Sequence, residues 1–147
     1  MPAEATPSPP NPGKKVPSSP PAAKPVGTVE VDESRNLITM RWAGVVTPPA
    51  MKAAAAEARR LLARVRPGFT VVTDLSGVQS MDLDCVPDLT GVMDAFKKAG
   101  IRTAIRIVPD RAKDIGFNIL AIVHYRRGVR VVTCATAAEA ERALGRQ

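Results

Sequence analysis

The segment that most constrains this chain is Phe69-Thr70-Val71-Val72-Thr73-Asp74, a short and nearly continuous apolar run that follows directly on Pro67-Gly68. Apolar residues at successive rather than alternate positions need cover on both faces, the condition of a central strand with helices packed over its sheet. The flanking patterns supply those helices. Upstream, Met51, Ala55, Ala58, Leu62 and Val65 recur at spacings of four and three, while Lys52, Glu57, Arg59, Arg60 and Arg64 take the other positions. This predicts an amphipathic helix that Pro67-Gly68 ends. Its start is marked by Thr47, with a capping hydroxyl, and by Pro48-Pro49 in a first turn where no donor is lost. Downstream, Val86, Leu89, Met93 and Phe96 form a second buried stripe, with Asp84 as its expected cap, Pro87 inside its first turn and Gly100 as its stop.

The remaining elements follow from the same two periods. Gly27 to Ser34 and Asn36 to Ala43 alternate apolar and polar residues around the turn-forming Glu33-Ser34-Arg35-Asn36, which predicts an antiparallel hairpin. Ile101 to Val108 is a further strand. Pro109-Asp110 opens a third predicted helix that runs to about Arg127, and Val129 to Thr133 is the last strand. Thr136-Ala137-Ala138-Glu139 is a capping box for a short C-terminal helix ending near Leu144. The expected order is β-β-α-β-α-β-α-β-α: an α/β fold with a mixed sheet, a leading antiparallel hairpin, flanking helices, and parallel pairing wherever a helix joins successive strands.

Residues 1–26 stand apart from this pattern. They hold nine of the fourteen prolines and no aromatic residue, and their remaining bulk is Ser, Ala and Lys. Such a segment buries too little apolar surface to offset the entropy of ordering, so it is expected to be a disordered tail, with one domain over 27–147. The net charge is +7, of which the tail supplies +2 through Lys14, Lys15 and Lys24 against Glu4. That balance favours acidic partners. Nucleic acid is not the expected partner, because Trp42, Phe69, Phe96, Phe117 and Tyr125 are scattered rather than interleaved with basic residues as stacking platforms. Cys85 and Cys134 lack Cys-x-x-Cys or His spacing and read as reduced, partly buried thiols, with no metal or cofactor implied. No apolar run resembles a secretory signal or reaches membrane-spanning length, so a cytoplasmic location without membrane insertion is expected.

Chemistry concentrates where the central strand ends, in Asp74-Leu75-Ser76-Gly77-Val78-Gln79-Ser80-Met81-Asp82-Leu83-Asp84-Cys85. An apolar strand ending in Asp-x-Ser, then a Met-Asp pair at the mouth of a helix, within this order of elements, resembles the STAS domain of bacterial anti-sigma factor antagonists. In that family a serine at the start of the helix is phosphorylated by a partner kinase. The usual Asp-Ser-Ser-Gly becomes Asp82-Leu83-Asp84-Cys85 here, so the serine position is held by the permanent charge of Asp84. The resemblance implies the fold and a partner-binding role, with an anti-sigma factor, a kinase-like ATPase or a signalling complex as partner. The implied contact residues are Ser76, Gly77, Ser80, Met81, Asp82, Leu83, Asp84 and Thr90, in a loop from Ser76 to Asp82 and the helix start that follows. Asp84 can act as a helix cap, as a mimic of the phosphorylated state, or as both; a single carboxylate has less charge and fewer acceptor oxygens than a phosphate.

Other readings are weaker matches. Asp82-Leu83-Asp84-Cys85-Val86 fits the Asp-x-Asp-x-Val signature of Mg-dependent phosphoryl-transfer enzymes, which would use Asp74, Asp82 and Asp84. That chemistry wants the pair directly after a strand, whereas Gly77-Val78-Gln79-Ser80 intervenes. Asp74 sits where a response-regulator phosphoacceptor would, but its simpler role is to accept hydrogen bonds from the turn at Ser76. His124, the sole histidine, has no Ser or Cys placed for nucleophilic catalysis. In the third predicted helix Ile115, Ile119, Ile122 and Val123 form one stripe that Phe117, Leu120 and Ala121 widen, a surface suited to a homodimer, a partner or deep burial. Capture of a lipid or other small molecule between that helix and the sheet is the related alternative, as in the CRAL-TRIO lipid carriers that some proteins of this broad fold resemble. The reading favoured by the sequence is a non-catalytic regulatory protein-binding module.

Overall fold

The computed structural model describes residues 27–109 and 128–146. They form a five-stranded sheet whose spatial order is the chain order. The strands are β1 (Gly27–Asp32), β2 (Leu37–Val46), β3 (Thr70–Met81), β4 (Thr103–Ile107) and β5 (Arg130–Cys134). β1 and β2 make the expected antiparallel hairpin, and β2, β3, β4 and β5 run parallel. Helix α1 (Pro48–Leu61) joins β2 to β3, α2 (Val86–Ala99) joins β3 to β4, and α3 (Ala137–Gly145) closes the chain. The mixed α/β architecture is the one read from the sequence. The tail over 1–26 and the third predicted helix, with His124 and its wide apolar stripe, lie outside the described residues.

The side-chain pattern divides the sheet into two unequal faces. Because alternate residues of a strand point to opposite sides, Ile38, Met40 and Trp42 of β2 join Val71 and Leu75 of β3 under α1 and α2. Leu37, Val72, Ile105, Ile107 and Cys134 point to the other side, where Ala140 and Ala143 of α3 cover them. β4 is buried along its whole length, as a strand covered on both faces must be. On the larger side, Phe69 meets Phe96 of α2 edge-on, with ring centroids 6.1 Å apart, while Met51, Ala54, Ala55 and Ala58 bring α1 down onto the sheet.

Helix ends follow the sequence signals in part. Gly100 adopts φ 98°, the left-handed conformation that glycine reaches without steric cost, and Ile101 N–H returns to the Phe96 carbonyl at 3.0 Å. Thr136 caps α3 by accepting from Glu139 N–H at 3.2 Å, and the Glu139 carboxylate reaches back to Ala135 N–H at 2.9 Å. Thr47 occupies the cap position of α1, but its hydroxyl makes no capping bond; the proline-led first turn leaves little for it to satisfy. Two expected boundaries shift. β2 continues past Ala43 to Val46, and β3 continues past Asp74 to Met81, so the loop expected over Ser76 to Asp82 is a strand up to Met81. The physical reason is that each extension gives the other a hydrogen-bonding edge.

Candidate functional site

The extension of β3 is an irregular strand. Its register against β2 runs Arg41 to Asp74, then Ala43 to Gly77, and later Gly44 to Val78, then Val45 to Ser80. β3 thus carries an extra residue at each shift, which bends a strand and re-aims its side chains. The first bulge is built around Asp74. Its Oδ1 accepts from Ser76 N–H at 2.9 Å and from Ser76 Oγ at 2.6 Å, the role expected for this carboxylate, though in a bulged strand rather than a tight turn. Gly77 follows because the strands come close there: a Cβ would lie 3.1 Å from the Ala43 Cβ and 3.2 Å from the Trp42 carbonyl oxygen.

Beyond Met81 the chain turns sharply. Asp82 N–H donates to the Val46 carbonyl at 3.0 Å, the last bond of the sheet, and a 3-10 turn over Leu83–Cys85 leads into α2. The cap of that turn is Asp82, whose Oδ1 accepts from Asp84 N–H at 2.8 Å. This corrects the expected capping by Asp84. A 3-10 turn ahead of α2 shifts the free N–H groups two residues early, within reach of Asp82; Cys85 takes the cap position of α2 and makes no side-chain capping bond. The Asp84 carboxylate is exposed and makes no hydrogen bond among the described residues.

The turn also determines what faces outward. Leu83 is 84% exposed, and Val45, which pairs with Ser80 at the end of the sheet, is 52% exposed; they are the large apolar side chains most open to solvent among the described residues. Asp82 and Asp84 flank Leu83 on either side. Ser80 is exposed at the same strand end, whereas Met81 turns inward against the larger core. Ser80, Asp82, Leu83 and Asp84 are thus exposed at this strand end while Met81 is not, and Val45 at the end of the adjoining strand is a further exposed apolar residue that the sequence reading did not name. Its signal was Ala43-Gly44-Val45-Val46, an apolar stretch running up to Thr47-Pro48. Ser76 and Gly77 lie back along the strand, Ser76 on the order of 13 Å from Ser80 at about 3.3 Å per residue. Thr90 is separate again: it sits in α2, half-buried, its hydroxyl donating to the Pro87 carbonyl at 3.0 Å.

Beneath the turn, Cys85 is fully buried with its Sγ 3.5 Å from the Val46 carbonyl oxygen. Burial first, and then the negative charge of Asp82, push its thiol above the ordinary range. It is held as a neutral thiol, a poor nucleophile. Cys134 is likewise free and buried, and burial raises its thiol too. Lys52 bridges to Asp88 at 3.4 Å and ties α1 to the first turn of α2. Among the described residues no three His, Cys, Asp or Glu side chains come together as a metal-ion site. An apolar cavity between the sheet and α2, lined among others by Met40, Trp42, Leu89 and Phe96, measures about 60 Å³. Sites for drug-sized ligands occupy roughly 300–1,000 Å³. No helix among the described residues is long and apolar enough to cross a membrane.

No protein-family model and no curated protein matches the chain. Solved structures do. The anti-sigma factor antagonist SpoIIAA in its unphosphorylated form superposes with a TM-score of 0.58 over 81% of this chain and 97% of that one, at 19% identity. The chain has the SpoIIAA-like fold. An uncharacterized protein from Shewanella loihica with a SpoIIAA-like fold gives a TM-score of 0.59 at 11% identity, over 80% of this chain and 91% of that one. An anti-sigma factor antagonist from Mycobacterium paratuberculosis gives 0.53 at 17% identity, over 81% and 92% of the two chains. At these identities the likeness to SpoIIAA is one of fold, and it agrees with the STAS resemblance read from Asp74 to Cys85.

Proposed function

We propose that this chain is a non-catalytic regulatory module that binds a protein partner through the end of β3 and the start of α2. The observation that carries the reading is Leu83, an 84% exposed leucine held on a capped 3-10 turn between two carboxylates. An apolar side chain fixed outward, with the exposed Val45 at the end of the adjoining strand and a charged rim, has the layout of an interface: a small desolvating centre bordered by polar groups that set orientation. The fold shared with anti-sigma factor antagonists supports the same reading and points to the partner class, an anti-sigma factor, a kinase-like ATPase or a multi-protein signalling complex, met in the cytoplasm. Contact runs through Ser80, Asp82, Leu83, Asp84 and Val45, with Met81 packed beneath them. With Asp84 at the family's serine position, the charge there is constant, and recognition does not wait for a serine phosphate.

The test is affinity capture from native cell extract with the full chain, comparing wild type with Leu83→Ser and Asp84→Arg, and identifying bound proteins by mass spectrometry. A partner of the stated class is expected on wild type and lost on both variants, with Kd for the purified partner raised at least tenfold, which is about 1.4 kcal/mol. Equal retention by all three baits, or a copurifying lipid or nucleotide with no protein, overturns the reading.

A further inference from the structure

The sheet face under α3 carries a groove between that helix and the adjoining half of β2 and β3, with a volume of about 140 Å³. Its floor is apolar: Leu37, Val72 and Ile107 from the strands, Ala140 and Leu144 from α3. The charged side chains of Arg41, Asp74 and Glu141 complete the lining. Residues paired across a sheet share a face. Asp32 pairs with Leu37, Glu30 with Thr39, and Arg41 with Asp74, so Asp32 and Glu30 belong to this face as well. Acids outnumber bases here. Arg41 Nη1 holds Glu30 Oε1 at 2.7 Å while standing in register with Asp74, so one guanidinium serves two carboxylates. Arg35 Nη2 holds Glu141 Oε1 at 3.1 Å and bridges the β1–β2 turn to α3. The cations of α3 are turned the other way. Arg142 and Arg146 act on the Cys134 thiol of β5, whereas Ala137, Ala140, Glu141 and Leu144 make the helix stripe along the groove. Arg130, in β5, is on that far side too.

We infer that the groove is the docking site of this chain's own segment Lys14-Lys15-Val16-Pro17, with Val16 and Pro17 on the apolar floor and the two ammonium groups at Asp74 and Glu141. The groove is smaller than the roughly 300–1,000 Å³ of sites for drug-sized ligands, and it suits one or two small side chains. Its floor and rim together select an apolar residue bordered by cations. Between Met1 and Val26, Val16 is the one large apolar residue, and Lys14-Lys15 precede it directly. Lysine stems pack along apolar surface while their charged heads stay in water, so both lysines cover the floor and still reach the rim.

The place where the described residues begin fits this occupant. Gly27 pairs with Trp42, and Thr28, Arg41 and Asp74 stand in one row across the sheet. Two strand spacings, about 10 Å, therefore separate the start of β1 from Asp74. Val16 precedes Gly27 by eleven positions, a reach of about 34 Å at the ~3.1 Å per residue of an extended proline-rich chain. A tether of that length holds the segment at an effective concentration on the order of millimolar, enough to populate a contact too weak to bind as a separate peptide. This docking does not rest on the role proposed for Leu83.

The experiment is paramagnetic broadening of amide NMR signals in the full chain, with a nitroxide attached to Ser18→Cys; Cys85 and Cys134 are buried and stay unlabelled. Broadening is expected at Thr39, Asp74, Ala140 and Leu144, and to exceed that at Lys52 and Asp94 on the helices of the opposite face. Lys14→Glu with Lys15→Glu is expected to reduce it at least fivefold, because each contact turns from attractive to repulsive. Salt at about 1 M, which shortens the Debye length from ~8 to ~3 Å, is expected to reduce it too. Lys14→Arg with Lys15→Arg retains it. These substitutions leave every groove residue in place, so a lost signal does not come from a damaged groove. The inference is overturned if the groove amides are not broadened, if charge reversal leaves the broadening unchanged, or if it centres on Leu83. It is overturned equally if the broadening passes from a spin-labelled chain to an isotope-labelled one without a nitroxide, which assigns the groove to a second copy. A small molecule retained on the chain in native mass spectrometry, with the groove amides unbroadened, overturns it in favour of that ligand.

Discussion

Two aspartates two residues apart have opposite jobs at the turn into α2. The Asp82 carboxylate accepts the Asp84 N–H, satisfying a donor that the 3-10 turn leaves unpaired. The Asp84 carboxylate makes no such bond and faces solvent. A lost cap costs about 1 kcal/mol, whereas exposed side chains away from such features change stability by about 0.5 kcal/mol or less. Asp82→Ala is therefore expected to lower the urea-unfolding free energy by about 1 kcal/mol, and Asp84→Ala to leave it within about 0.5 kcal/mol. Equal losses in the two variants would show that both carboxylates cap, and would return Asp84 to the role read from sequence. The sequence placed a capping aspartate here correctly and chose the wrong one. A 3-10 turn and an α-helical first turn use the same residue types, and a shift of two positions between them leaves no mark in composition.

At the level of elements, the strands and helices were legible wherever one period held without interruption. Alternation in β1, the apolar run from Phe69 to Asp74 and the stripe from Met51 to Ala58 each demanded one structure. The sequence reading stopped β3 at Asp74 because Ser76-Gly77-Val78-Gln79-Ser80 has turn chemistry and no period of two. Two extra residues in β3 relative to β2 remove that period while the hydrogen bonding continues, and only a partner strand makes this visible. Val45 was missed for the same reason, since its importance comes from β2 extending alongside. Gly77 is the position where the extension depends on a single atom. A Cβ 3.1 Å from the Ala43 Cβ and 3.2 Å from the Trp42 carbonyl oxygen requires the neighbouring strand to give by a few tenths of an ångström, and overpacking costs about 1–3 kcal/mol. Gly77→Ala is expected to lose stability in that range by urea unfolding and to raise amide exchange from Val78 to Met81, leaving Thr70 to Thr73 protected. Uniform protection along β3 would mean that the neighbouring strand yields without cost.

On the scale of the whole molecule, the described residues cover the two faces of the sheet unequally, which bears on how it should come apart. α1 and α2 press Met51, Ala55, Val92, Met93 and Phe96 onto one face, with Phe69 fully buried at the centre. α3 is a nine-residue helix that covers the other face with Ala140, Ala143 and the partly buried Leu144. Alanine side chains bury little area, and an isolated helix of that length is marginal in water, so α3 depends on its cap and on a small contact. It should therefore open locally while the sheet and the first two helices open only in global unfolding. Phe69→Ala removes the ring that meets Phe96 and is expected to cost about 3–5 kcal/mol, a large part of a total stability of about 5–15 kcal/mol. In that variant, amide exchange in β3, β4, α1 and α2 should accelerate together, by the factor that the lost global stability implies. Exchange in α3 should change far less, because its opening in the wild type is already local. If α3 amides in the wild type exchange as slowly as those of β4, the two faces unfold as one unit and the short helix contributes as much to the fold as the two long ones.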